Sequence, residues 1–165
     1  MTATFADTLN EGRITARRPI AGLVPHKGPM CLLDDVLEAD GEHLVAEITP
    51  RRDDLFALDA GIPGWVGIEW LAQAIAAWSG LRAVSGNGTP RPGFLLGTRR
   101  YRCRDAHFSF SSPIRVEVSL DYMADNGLGA FSGRLLDAAD DECASATLNV
   151  FEPDDVAALG SPLQE

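Results

Sequence analysis

Lysine is almost absent from this chain. Of 14 basic residues among 165, only Lys27 is a lysine and the rest are arginines. Basic charge as a whole is in short supply, since 24 acidic residues leave a net charge of −10 at pH 7. A nucleic-acid surface needs a basic excess to displace counterions, so nucleic acid is excluded as the main partner. Docking on an anionic membrane is excluded on the same ground. No apolar run is long enough to predict a membrane span. Arg13, Arg17 and Arg18 are not followed by the apolar core of a signal peptide. Cysteine is scarce too: Cys31, Cys103 and Cys143 are odd in number and lack metal-ligand spacing. They read as reduced thiols in a cytoplasmic protein. Neither a metal nor a cofactor is expected.

What is present fits one globular domain, with 45% hydrophobic residues to build a core. Residues 1–19 are polar and aperiodic and read as a flexible arm, residues 20–152 as the folded domain, and residues 153–165 as a loose acidic tail. Met30 to Leu37 reads as a strand. His43 to Ile48 alternates and reads as a second, with Asp40-Gly41 as the turn. Ile62-Pro63-Gly64 opens a helix that runs to about Val84, with proline in its first turn. Its body, from Trp65 to Trp78, is apolar nearly all round and holds all three tryptophans, so it is expected at the centre of the fold. Beyond a Gly/Pro-rich loop the period becomes two. Phe94 to Phe110 reads as one long strand or a bent pair, followed by Ile114 to Tyr122, Ala130 to Leu136 and Cys143 to Phe151. The short connections predict antiparallel pairing. The fold class is therefore α+β, an antiparallel sheet covering one long central helix. A sheet with one face bare predicts a dimer.

Glu69 is the only ionisable residue between Pro63 and Leu81. A carboxylate among tryptophan, isoleucine and alanine is costly to ionise, so its pKa is expected to rise, which suits a general acid. Gln73, four residues on, shares its helix face and is placed to hold the carboxyl group or to touch a ligand. The helix start, Gly64, Trp65 and Val66, offers backbone N–H groups that could polarise a substrate carbonyl. His26 sits in a rigid turn, Pro25-His26-Lys27-Gly28-Pro29, and suits a catalytic base or a structural hydrogen bond equally. His43 is expected to be exposed, and His107 to be a satisfied sheet residue. Arg100, Arg102 and Arg104 alternate along one strand, with Arg99 and Arg91 nearby. They form a basic stripe on an acidic protein, fit for an anionic partner or for a solvated strand face.

The segment Ile62-Pro63-Gly64-Trp65-Val66-Gly67-Ile68-Glu69-Trp70-Leu71-Ala72-Gln73 resembles the "MPGVLMIEAMAQ" helix start of the 3-hydroxyacyl-acyl-carrier-protein dehydratases. Pro25-His26-Lys27-Gly28-Pro29-Met30-Cys31-Leu32-Leu33-Asp34-Asp35-Val36 resembles their "PHRxPFLLVDRV" strand, and the resemblance covers residues 20–152. The look-alikes nearest in motif are the divergent dehydratases of aryl polyene synthesis. The resemblance implies the hotdog fold, usually dimeric, and removal of water from a 3-hydroxyacyl thioester to give a trans-2-enoyl thioester. It places Glu69 on the catalytic acid and the helix start on the thioester-polarising site. Acyl carrier protein or coenzyme A would be the thioester carrier, with Arg99, Arg100, Arg102 and Arg104 as the carrier-binding patch.

The chain departs from the family in one respect. The family's catalytic histidine lies in a G-H-F-P-G motif, where this chain has Asp53-Asp54-Leu55-Phe56-Ala57-Leu58-Asp59-Ala60-Gly61. Either His26, or Asp59, acts as the base in a homodimer, or the chain supplies Glu69 to a heterodimer whose second hotdog subunit supplies the histidine. A non-catalytic partner subunit and a hotdog acyl thioesterase are the alternative functions.

Overall fold

The computed structural model describes residues 13–86, 88 and 93–154. The chain enters as two short strands, β1 (Arg13–Ile14) and β2 (Arg18–Pro19), both antiparallel to β3 (Asp35–Asp40). Of the residues read from sequence as arm, Arg13–Ile14 and Arg18–Pro19 therefore belong to the sheet, and Ile14 lies in the core. Two-residue strands are too short to leave a periodic signal. Residues 1–12 and 155–165 lie outside the described residues.

The strand expected over Met30 to Leu37 starts later. Gly28–Met30 is a single 3-10 turn with Pro29 inside it, and β3 begins only at Asp35. Between them, Leu32 N–H donates to the Gln73 side chain at 2.9 Å and Asp34 N–H to the Glu47 carbonyl at 2.9 Å. Strand β4 (His43–Ile48) follows as expected, and the Asp40 carboxylate accepts the N–H groups of Glu42 and His43 to close the turn.

The helix starts differently from its sequence reading. Ile62–Pro63 is a short strand, β5, Gly64–Val66 is a 3-10 turn, and the α-helix proper, α1, spans Gly67–Ser85. Trp70, Leu71, Ala74, Ala77 and Trp78 are buried on it, as an all-round apolar helix requires. Gly80 lets the helix touch the segment before β3: a Cβ there would collide with the carbonyl oxygen of Leu23.

The second half is a meander. The Phe94 to Phe110 stretch is a bent pair, β6 (Phe94–Cys103) and β7 (His107–Phe108), the latter pairing with β5. Strands β8 (Ile114–Met123), β9 (Leu128–Leu136) and β10 (Glu142–Phe151) complete the fold. The main sheet runs β1-β3-β4-β8-β9-β10-β6, and the strand pairs along it are antiparallel. It closes round α1, whose buried face meets Leu44, Val116, Phe131 and Leu148 in one core. At the far edge β6 pairs, among the described residues, with β10 alone and exposes Phe94, Leu95 and Leu96.

Candidate functional site

Glu69 stands in the first turn of α1, where the positive end of the helix dipole favours a carboxylate. It opens into a pocket of about 160 Å³ between α1, the turn carrying His26, and the ends of β6 and β10. It is not sealed as the sequence implied, because 33% of its side chain is exposed there.

Gln73 fixes its orientation. The Gln73 side chain is fully buried, and its Oε1 accepts the Leu32 N–H at 2.9 Å while its Nε2 donates to the Met30 carbonyl at 2.8 Å. Those two backbone partners decide which way the amide points. The second Nε2 hydrogen is left for Glu69 Oε1, at 3.0 Å. Oε1 is thus committed as an acceptor, which leaves Oε2 as the oxygen that carries or takes a proton. Both amide hydrogens of Gln73 are used, on the Met30 carbonyl and on Glu69, and the side chain is fully buried.

His26 comes to the same place. Its Nε2 lies 3.5 Å from Glu69 Oε1, at ion-pair distance. Its Nδ1 is buried without a partner among the described residues. The segment from Ile20 to His26 reaches there because Ile20 N–H donates to Asp34 and Leu23 N–H to Ile20, and because Gly80 admits Leu23 against the helix.

The helix start is not brought to this pocket. The Gly64 N–H is already donated to the Ala106 carbonyl at 2.8 Å, so it is not free for a thioester oxygen. Gly64 is needed for packing, since a Cβ there would lie 2.8 Å from the Asp105 carbonyl oxygen. Its own carbonyl accepts the hydroxyl of Tyr101, whose phenol burial pushes far up. Val66 is buried, and Trp65 is 59% exposed with its ring edge-on to Phe56. None of the three lines the Glu69 pocket. Leu55 is 51% exposed, and Asp59 lies exposed in the same loop. His43 is bound to Asp40 on the surface, and His107 is a half-buried residue of β7. Burial raises the thiol pKa values of Cys31 and Cys143, the latter to about 11, which keeps both as neutral thiols.

The arginine stripe is rearranged by a bulge. Arg99 pairs with Thr147 and Arg102 with Ser145, so two residues of β6 face one of β10, and Arg100 takes the left-handed φ of 55° that this needs. Thr147 and Ser145 point away from the core, which places Arg99 and Arg102 together on the outer face. Arg100 and Arg102 line the same outer trough. Arg99, Arg100 and Arg102 are exposed and make no ion pair among the described residues. Arg104 is spent on Asp105 and Asp137, at 2.9 and 3.1 Å. Arg91 lies outside the described residues.

One long buried helix wrapped by an antiparallel sheet is the hotdog fold. The chain belongs to the ApeP-like family, described as ApeP dehydratase, whose model matches residues 18–161. No curated protein matches it. Among solved structures, the dehydratase heterocomplex ApeI:P from Xenorhabdus doucetiae is 28% identical with a TM-score of 0.76, and the match covers 86% of this chain and 95% of that one. The PaaI protein of E. coli, from the phenylacetic acid degradation operon, is 8% identical with a TM-score of 0.57 over 72% of this chain and 78% of that one. The smu.793 protein of Streptococcus mutans, solved bound to acetyl CoA, is 10% identical with a TM-score of 0.52 over 67% and 80%. These last two share the fold alone.

Proposed function

We propose that this chain is one half of a dehydratase that converts 3-hydroxyacyl thioesters on an acyl carrier protein into trans-2-enoyl thioesters, and that a second hotdog subunit completes the site. The observation that carries the reading is the Gln73-held Glu69 at the mouth of a largely apolar pocket. Oε2 of Glu69 protonates the C3 hydroxyl as the C3–O bond breaks. A base takes the C2 proton, and the C–H electron pair forms the C2=C3 double bond. Enoyl thioester and water leave, the base is protonated and Glu69 is ionised.

The identity of the base separates the two arrangements the sequence left open. His26 could serve through Nε2 only if its proton sat on Nδ1, which is buried without an acceptor. A stranded donor of that kind costs about 1–3 kcal/mol. The other neutral tautomer leaves Nδ1 as an unpaired acceptor instead, but it directs the Nε2 proton at Glu69, 3.5 Å away, and so ties the ring to the carboxylate. This supports a positioning role for His26 and a base from a partner. The dehydratase heterocomplex to which the chain is 28% identical is itself an assembly of two kinds of subunit. The bare edge of β6, with Phe94, Leu95 and Leu96 exposed beside the pocket, suits the second subunit. Arg99, Arg100 and Arg102 on the same strand are the cations for an acidic carrier. Among the described residues no helix is long and apolar enough to cross a membrane, and the work belongs in the cytoplasm with the carrier.

The test is dehydration of a 3-hydroxyacyl thioester by the chain alone and mixed with a co-encoded hotdog protein. Activity is expected only in the mixture, and Glu69→Gln in the mixture should lower kcat by about a hundredfold or more with the fold intact. Full activity of the variant would sink the dehydratase reading, and enzymatic rates from the chain alone would sink the heterodimer. Release of free thiol without enoyl product would select a thioesterase.

A further inference from the structure

The Glu69 pocket has an end as well as a mouth. From Glu69 the groove follows one flank of α1 past Ala72, Ile75 and Ala76 to Ser79. Ten helical residues at ~1.5 Å each make this about 15 Å, the span of an extended medium-length acyl chain. At Ser79 the lining changes. Its hydroxyl donates to Glu152 Oε2, and both residues line the pocket. Beyond the pair lies a second, separate cavity of about 600 Å³, and its lining also includes Ser79 and Glu152. That second cavity is mixed, with Arg82, Asp125 and Asp154 on its wall beside Trp78 and Met123.

Glu152 is held in place from behind. Its N–H donates to the Gly127 carbonyl at 2.9 Å, and its own carbonyl packs where a Cβ on residue 127 would sit. The turn before β9 therefore anchors the carboxylate across the groove, and Ser79 saturates one of its oxygens. A hydrocarbon tail can replace groove water as far as Ala76 and Ile75 at a gain. To go further it must break the Ser79–Glu152 hydrogen bond and bury a carboxylate against methylenes, which is strongly unfavourable.

We propose that the Ser79–Glu152 pair is the end stop of the acyl groove and sets the longest chain this site accepts. The inference rests on the acyl-thioester reading above and adds its chain-length limit. The test uses the full chain and a series of S-alkyl pantetheine thioethers of graded length, read by tryptophan fluorescence, since Trp78 adjoins Ser79. Affinity is expected to rise with each methylene and then to fall about tenfold or more at the first one past the stop. Glu152→Ala moves that break to longer chains, and Glu152→Gln, which keeps the hydrogen bond but not the charge, moves it less. Both variants are checked for folding by circular dichroism, and if the alanine variant does not fold, the glutamine variant decides.

A break that stays at the same length in the folded variant overturns the proposal, as does the absence of binding at any length. The same series as 3-hydroxyacyl thioesters, assayed for dehydration with the partner subunit, reads the other claim separately. Length-limited binding without turnover leaves the stop standing and removes the dehydratase. Turnover with an unmoved length limit does the reverse.

Discussion

Gln73 Nε2 donates to Glu69 Oε1 at 3.0 Å while the same amide bridges the Met30 carbonyl and the Leu32 N–H. One buried side chain thus ties the Glu69 carboxylate to the segment that carries His26. Gln73→Ala is expected to strand one backbone donor and one acceptor and to free Glu69 at once. The cost should be about 2–4 kcal/mol of stability, read from urea melts, together with a loss of kcat. A variant as stable as the parent would show that water replaces the amide, and that Glu69 is held by something other than Gln73.

His26 and Glu69 offer a sharper separation of roles. If His26 orients the carboxylate through a proton on Nε2, His26→Ala should lower kcat/KM by about tenfold, while His26→Gln should restore most of it, because a glutamine amide can donate the same hydrogen bond. If His26 is the base, glutamine cannot help, and both variants should lose about a hundredfold or more. Parallel kinetics of the two variants with the partner subunit present decide between them.

Much of this was legible in the sequence. The long apolar helix, the strand at His43–Ile48, the bent pair after residue 94 and the pairing of Glu69 with Gln73 follow from local periodicity and i,i+4 spacing. His26 and Glu69, which the sequence singles out as separate candidates, come within 3.5 Å. Local patterns are blind to contacts made across the fold, and the departures fall there. The Gly64 N–H was read as free because nothing nearby in the chain accepts it, yet its acceptor, Ala106, is far along the sequence. The alternation of Arg100, Arg102 and Arg104 assumed a regular strand, and one residue in left-handed geometry at Arg100 shifts the register. Ser79 and Glu152 meet over 73 residues, and no spacing rule connects a serine late in a helix with an acid after the last strand.

Gly80 gives a prediction in which packing and propensity oppose each other. On an exposed helix, Gly→Ala would add about 1 kcal/mol of stability. Here the new methyl would collide with the Leu23 carbonyl oxygen, a backbone atom that cannot swing away. Gly80→Ala should therefore destabilise by about 1–3 kcal/mol. Since Leu23 lies one turn before His26, the shift should also pull His26 from Glu69 and lower kcat. Chemical denaturation measures the first effect, steady-state kinetics the second, and a stabilised variant would mean that the Leu23 segment is not seated on the helix.

The arginines of β6 separate into free and spent cations, and this makes the carrier surface testable. Arg99 and Arg102 share the outer face without an acidic partner among the described residues, whereas Arg104 is neutralised by Asp105 and Asp137. Replacing Arg99 and Arg102 together by glutamate should raise KM for a carrier-bound substrate by about tenfold at low ionic strength, through slower association. Arg104→Glu should do less, because that guanidinium contributes little net field beyond its own ion pairs. The free pair's effect should shrink as salt rises and the screening length falls to about 8 Å near physiological ionic strength. A KM that responds equally to all three positions, or that ignores salt, would move the carrier's landing site off this strand.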